Sequence, residues 1–300
     1  MNKTRIAETE PPDGNKPYQA YALEEETIRS AYHYQQNPEF FMTLIGGEWH
    51  VYSCWMWEED FTITQAQEKK LDKLAKLMDL KKGMHILDVG FGWGGPLVYL
   101  CKKYGVRGHG ITISPIQIPV ARHRAAKYGV DATFEVVHWQ NLPEVETYDA
   151  IFSDEVMVHF YDLGGFFAKC HRVLKPGGVM VHKELHWTHS SHADFTPRLI
   201  QHINKVYGYT GNYRTLHEEL KLLDDKNFEL KEIFEIPLEH YRKTMGIWLE
   251  NLFENRQHLK AITSPQIYKD FRLYIKGYIH GFRLERVGLY IVTSRKIVCA

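Results

Sequence analysis

The sequence predicts an α/β fold built on a parallel sheet covered on both faces, on three observations. Strand-like and helix-like segments alternate through the middle of the chain. Several of the strand segments are nearly continuous in Ile and Val, as strands buried on both faces are. The first of them ends in a cluster of glycines that leads straight into a helix.

Taken in order, residues 1–20 are charged, contain Pro11, Pro12 and Pro17, and show no periodicity, which predicts a disordered leader. A helical pattern runs from Leu23 to Glu48 and meets an aromatic stretch, EWHVYSCWMWEEDF, over 48–61. Thr64 then opens an amphipathic helix with Leu71, Leu74, Leu77 and Leu80 at three-residue steps. Strand character follows at 84–90, 107–114, 133–138, 148–156 and 175–185, with helices at 96–105, 116–129 and 164–174. The last third differs. Helical patches RLIQHINKVYG and TLHEELKLLDDKNF precede a returning strand at 228–238, long amphipathic helices at 240–262 and 264–282, and a closing strand at 288–298. The simplest architecture is one sheet with helices before it and a helical insertion near its end.

Composition narrows the function. The 37 Lys+Arg balance 37 Asp+Glu to a net charge of zero, which removes the general electrostatic footprint of a nucleic-acid binder. No apolar run reaches the roughly 18–20 residues that span a bilayer, and the N-terminus lacks the apolar stretch of a signal peptide. Cys54, Cys101, Cys170 and Cys299 are scattered without CxxC spacing, so neither a zinc site nor a disulfide framework is expected, and the reading is cytoplasmic. Among the 17 His, His182 and His186 stand four apart. On a strand they share a face but lie about 13 Å apart, too far to chelate one ion. They read as polar residues near a pocket mouth, and no metal is expected.

The sharpest signal is HILDVGFGWGG over 85–95: an apolar strand ending in Asp88, then Gly90, Gly92, Gly94 and Gly95, then a helix. Glycines there let backbone approach a ligand, and the helix start presents free N–H groups. The second strand, HGITIS, carries no acidic residue to hold a ribose, which weakens a dinucleotide reading.

LDVGFGWGG, GITISPIQ, VHWQNLP and RVLKPGGVMVH, in that order, resemble the S-adenosylmethionine-dependent methyltransferases. YSCWMWEEDFTITQAQEKKLDKL and HYRKTMGIWLENLFENR narrow the resemblance to the cyclopropane fatty acid synthase and mycolic acid methyltransferase group, over roughly residues 32–298. The resemblance implies a Rossmann-like class I methyltransferase sheet, a single domain over 21–300 with a helical cap at 21–80, and a substrate region at 187–285. It implies S-adenosylmethionine as methyl donor. Asp88 falls in the family's glycine-turn motif, and Gly90 and Gly92 would pass the methionine and ribose portions. Tyr52 and Ser53 would close over the methionine end, Gln117 would take the ribose hydroxyls, and Ile113 and Trp139 would flank adenine.

Departures from the pattern bear on the chemistry. Where cyclopropane synthases have the Glu of F-E-H that helps hold a bicarbonate base, this chain has Val158, followed by the expected His159. The family's active-site His at the end of the fifth strand falls at Lys183, with His182 one residue out of register; Cys54 and Tyr241 match the bicarbonate-site Cys and Tyr. The cage is partial, which argues against cyclopropane formation. Glu155 lies where carbon-methylating enzymes on isoprenoid diphosphates and sterols carry Glu, and a carboxylate there would stabilise a carbocation and take its proton. A helix cap is the plainer reading of Asp154-Glu155, and Glu184 is a second candidate base. The expectation is methyl transfer to a carbon, an alkene carbon of an apolar lipid-like or isoprenoid molecule, with Glu155, His159 and Tyr241 at the reacting centre. The alternatives are an N- or O-methyltransferase of a small natural product and a cofactor-dependent cyclase without net methyl transfer. The amphipathic helices suit a core or an interface equally, so a homo-oligomer stays open.

Overall fold

The computed structural model describes residues 33–192 and 213–297. The leader, the RLIQHINKVYG patch and the start of the 23–48 helical pattern lie outside the described residues.

Seven strands form one sheet: β1 (His85–Val89), β2 (Arg107–Thr112), β3 (Ala132–Val136), β4 (Tyr148–Asp154), β5 (Leu174–Trp187), β6 (Phe228–Ile236) and β7 (Val287–Lys296), in the order β3-β2-β1-β4-β5-β7-β6. The first five pair in parallel, whereas β7 runs antiparallel to both β5 and β6. Apolar periodicity reports burial and not strand direction, which is why a mixed sheet was not visible in it.

The buried residues of the strands divide by alternation, as period-two side chains must. Ile86, Phe152, Val181, Leu185 and Ile291 join a core with the N-terminal helices and the C-terminal insertion. Leu87, Val89, Ile151, Met180 and Val292 join a second core on the other face. Both faces are dry, so the strands read as continuous apolar runs.

Nine α-helices cover the sheet among the described residues: α1 (Pro38–Ile45), α2 (Ile63–Leu77), α3 (Gly95–Tyr104), α4 (Gln117–Tyr128), α5 (Leu163–Val173), α6 (Leu216–Asp224), α7 (Leu238–Glu254), α8 (Arg256–Ile262) and α9 (Pro265–Phe282). Their limits follow local chemistry. A capping box of Thr62 and Gln65 starts α2, and left-handed Gly105 and Gly129 end α3 and α4. The single helix expected over 240–262 is two, divided at Asn255, whose backbone (φ −98°, ψ 20°) leaves the helical region. Among the described residues no helix is long and apolar enough to cross a membrane.

Candidate active site

The C-terminal ends of β1, β2 and β4 open into two contiguous cavities of about 600 and 570 Å³ that share Tyr34, Gly90, Gly92 and Val156. Ligands of open α/β sheets bind at this edge. The first is lined by Ile113, Gln117, Trp139, His159 and Phe160, the second by Tyr52, Ser53, Asp88, Asp154 and Glu155. The cofactor residues expected from the sequence therefore surround one continuous space.

The turn is built for close approach. Gly90 has φ +77°, and a Cβ there would lie 2.6 Å from the Val156 side chain. A Cβ on Gly95 would lie 1.6 Å from the Trp49 carbonyl oxygen, so α3 starts against the aromatic stretch before α2. Thr112 donates to Gln117 at 2.7 Å, fixing the Gln117 carboxamide at the cavity wall. Tyr52 stacks on Trp248 at 4.9 Å, and its hydroxyl meets His33 at 3.0 Å. Asp88 Oδ2 is buried with no hydrogen-bond partner among the described residues. Burial, and then the charge of Asp154, push the Asp88 carboxyl well above the usual range. An orphaned carboxyl facing a cavity fits a cationic group of an amino-acid-bearing cofactor, whose charge would favour its ionised form.

At the tip of β4 the acidic pair turns inward, so the helix-cap reading fails. Asp154 and Lys183 are register partners on adjacent parallel strands, which places their side chains on one face. Strand alternation would send residue 155 the other way, but Glu155 adopts a left-handed backbone (φ +58°) while its N–H donates to the Lys183 carbonyl at 2.7 Å. Both carboxylates thereby reach the Lys183 ammonium, at 3.0 Å for Asp154 and 2.6 Å for Glu155. Tyr241 donates its phenolic proton to Glu155 Oε2, and the Cys54 N–H donates to Oε1 at 2.9 Å. Ser53 donates to Asp154 at 2.8 Å, and buried Lys70 of α2 donates to the same oxygen. Burial alone would raise the Asp154 carboxyl, but the Lys183 and Lys70 ammoniums outweigh it and hold it down at about 2. Those same carboxylates raise the Lys183 ammonium above its ordinary value against burial.

The structure brings Tyr241 onto Glu155 but does not bring His159 there. His159 lies in a 3₁₀ turn (Met157–His159) and lines the cavity end shared with Trp139 and Phe160. Burial lowers its imidazole to about 4, which keeps it neutral at pH 7. Glu184, the other candidate base, points away from this cavity. Its oxygens accept from the Val158 and Leu185 N–H groups at 3.1 and 3.0 Å, and burial, followed by the charge of Glu155, pushes it up to about 8. Of His182 and His186, the second lines a separate, smaller cavity of about 180 Å³ with Glu184, Arg214 and Glu219. Both are buried on that same far face of β5 and meet opposite oxygens of Glu219 on α6, at 2.7 and 2.9 Å. Among the described residues no three His, Cys, Asp or Glu converge to hold a metal ion.

Lys70, Asp154 and Lys183 are the site residues the sequence reading did not assign. Their signals were present in the phase of each element. Gln67, Lys70, Leu71 and Leu74 share the apolar face of α2, and Val179, Val181, Lys183 and Leu185 alternate on one face of β5.

The sheet, the glycine turn and the paired cavities define a class I S-adenosylmethionine-dependent methyltransferase. Residues 22–292 match the family model described as mycolic acid cyclopropane synthetase, and the chain belongs to that family, whose methyl donor is S-adenosylmethionine. A probable fatty acid methyltransferase of Pseudomonas putida is 27% identical over 280 residues, covering 89% of this chain and 68% of that protein. The cyclopropane synthase MmaA2 from Mycobacterium tuberculosis superposes with a TM-score of 0.83 at 24% identity, over 90% of this chain and 98% of that one. The mycolic acid cyclopropane synthase CmaA1, solved with SAH and CTAB, gives 0.82 at 25% identity over the same shares.

Proposed function

We propose that the protein transfers a methyl group to an alkene carbon of an apolar, lipid-like or isoprenoid molecule and completes the reaction by proton loss. The observation that carries this reading is the Glu155 carboxylate, presented to the methionine end of the cavity by Tyr241, Lys183 and the Cys54 amide. A lone-pair nucleophile needs no base to quench a cation, whereas an alkene does. Relatives named for fatty acid methylation and mycolic acid cyclopropanation support a lipid-like acceptor.

When bound, S-adenosylmethionine supplies an electrophilic methyl on a positively charged sulfur. Asp88, Ser53 and Tyr52 would hold the amino-acid end, Gln117 the ribose hydroxyls, and Ile113 and Trp139 the base. In this site the alkene π pair forms the new C–CH₃ bond, the methyl–sulfur bond breaks, and a carbocation is left on the acceptor. Glu155 stabilises that cation across a water-poor gap, and Oε2 takes a proton from the adjacent carbon, whose C–H pair closes a new double bond. Tyr241, already donating to Oε2, keeps that oxygen aimed at the acceptor. His159, neutral by burial, packs the nucleoside end and has no part in the proton transfer.

The test incubates the protein with methyl-labelled S-adenosylmethionine and a total lipid extract, and locates the label by NMR. The expected product carries the methyl on a former alkene carbon. E155Q should lower turnover about 10³-fold and leave S-adenosylhomocysteine binding intact. Label on nitrogen or oxygen, or full turnover by E155Q, overturns the assignment.

A further inference from the structure

Lys183 is fully buried and lines neither of the two cavities itself; Asp154 and Glu155 line one, and Lys183 stands behind them. Its ammonium donates to Glu155 Oε1 at 2.6 Å and to the Cys54 carbonyl at 2.9 Å, and forms an ion pair with Asp154 Oδ1 at 3.0 Å. The Cys54 N–H returns to the same Glu155 oxygen. Lysine, Glu155 and both backbone polar groups of Cys54 therefore close one ring. Cys54 directly follows Tyr52 and Ser53, which wall the methionine end of the cavity.

Two physical points make this ring more than a buried ion pair. Glu155 holds a left-handed backbone that a residue with a Cβ keeps only where its surroundings over-determine it. Of the contacts that do so, Lys183 supplies two, through its side chain and its carbonyl. The layering also sets the field. With carboxylates in front and the ammonium behind, a cation in the cavity is nearer the negative groups, so a pair of zero net charge still favours it. Lys70 satisfies Asp154 from the other side, which leaves the short contact of Lys183 to Glu155.

We infer that Lys183 is a positioning residue for the reaction, aligning the Glu155 carboxylate against Tyr241 and locking it to the Tyr52–Cys54 strip over the cofactor. The inference rests on the reading of Glu155 as the base.

The experiment is a double-mutant cycle on the full-length protein. Wild type, E155Q, K183M and E155Q/K183M are each assayed for label transfer from S-adenosylmethionine to total lipid extract. Each is also titrated with S-adenosylhomocysteine and melted. Methionine preserves the length of the side chain, and the double variant keeps the measurement available if K183M alone, with a buried unbalanced carboxylate, folds poorly. The expected result is a drop in kcat of about 10²-fold for K183M with the S-adenosylhomocysteine Kd held within about threefold. The double variant should be no slower than E155Q beyond about threefold, because Lys183 acts through the carboxylate already removed. A merely structural lysine would instead weaken inhibitor binding and melting together, or add its full loss to that of E155Q; either result overturns the inference. E155Q inactive beside fully active K183M rejects the role of Lys183 alone. E155Q fully active, or no labelled product from wild type, rejects the reading of Glu155 on which it stands.

Discussion

The two faces of β5 between residues 182 and 186 carry similar residue types and have opposite characters. On one face Lys183 meets Asp154 and Glu155, and the carboxylates open onto a cavity. On the other, His182 and His186 grip Glu219, and the cavity beside them is smaller, about 180 Å³. Both bury charge, and both join segments far apart in sequence. The difference is commitment: Glu155 lines the larger cavity, while each oxygen of Glu219 is held by an imidazole and pins α6 to β5. A buried charged cluster is therefore a stability device or a site according to what its last free lone pair faces.

Substitutions on the two faces should separate along that line. E155Q, on the front face, carries the largest expected effect, the loss of turnover described above with the fold retained. On the far face E219L should cost about 3 kcal/mol of stability, since two buried imidazoles lose a charged acceptor. Chemical denaturation reads that loss, and the S-adenosylhomocysteine Kd should stay within about twofold. A large loss of binding in E219L would erase the distinction between the faces.

Smaller effects sharpen it. Y241F keeps the ring stacked on Phe282 at 4.6 Å and removes only the hydroxyl on Glu155. Turnover should fall about 10- to 100-fold with an unchanged melting temperature. E184Q should show as a pH effect. The Glu184 carboxyl is raised by burial and by Glu155 to about 8, so between the ordinary carboxylate range and pH 8 the folded state keeps a proton that the unfolded state has lost. Wild-type stability thus declines as pH rises through that window, and E184Q should flatten this part of the Tm–pH curve. The Glu219 carboxyl is shifted the other way. His182 and His186 lower it against burial, so its contribution is complete above the ordinary carboxylate range and drains away as pH falls below it. E219L should flatten the acid side.

What the sequence showed plainly was what is local. HILDVGFGWGG announced a strand, a tight turn and a helix start within eleven consecutive residues, and Tyr52-Ser53-Cys54 announced one strip of wall. Pairings across the fold were not legible. Lys70 stands in EKKLDK, where composition suggests a solvated face, and only its helical phase places it inward against Asp154, 84 residues away. Reading position 183 against position 182 required the strand register, since one residue exchanges the faces. His186 meets Glu219, 33 residues on, only through the packing of α6 against β5. The parallel portion of the sheet was expected correctly, while the antiparallel β7 follows from a connection that periodicity does not encode.

The handedness of the backbone at Glu155 also constrains how this enzyme can change. Asn, Asp and Gly tolerate a left-handed residue with the least penalty, and β-branched residues are the worst suited. Asp and Asn, however, are one methylene too short to span the gap between Lys183 and Tyr241, and Gly has no side chain at all. The residues the main chain accepts most easily at this position are thus the ones that would end the proposed proton transfer, while the glycine turn beneath stays whole. On the proposed role of Glu155, drift at a single codon would leave the cofactor residues in place without the chemistry. That makes position 155 the place to look when a relative of this chain binds the cofactor and yields no methylated product.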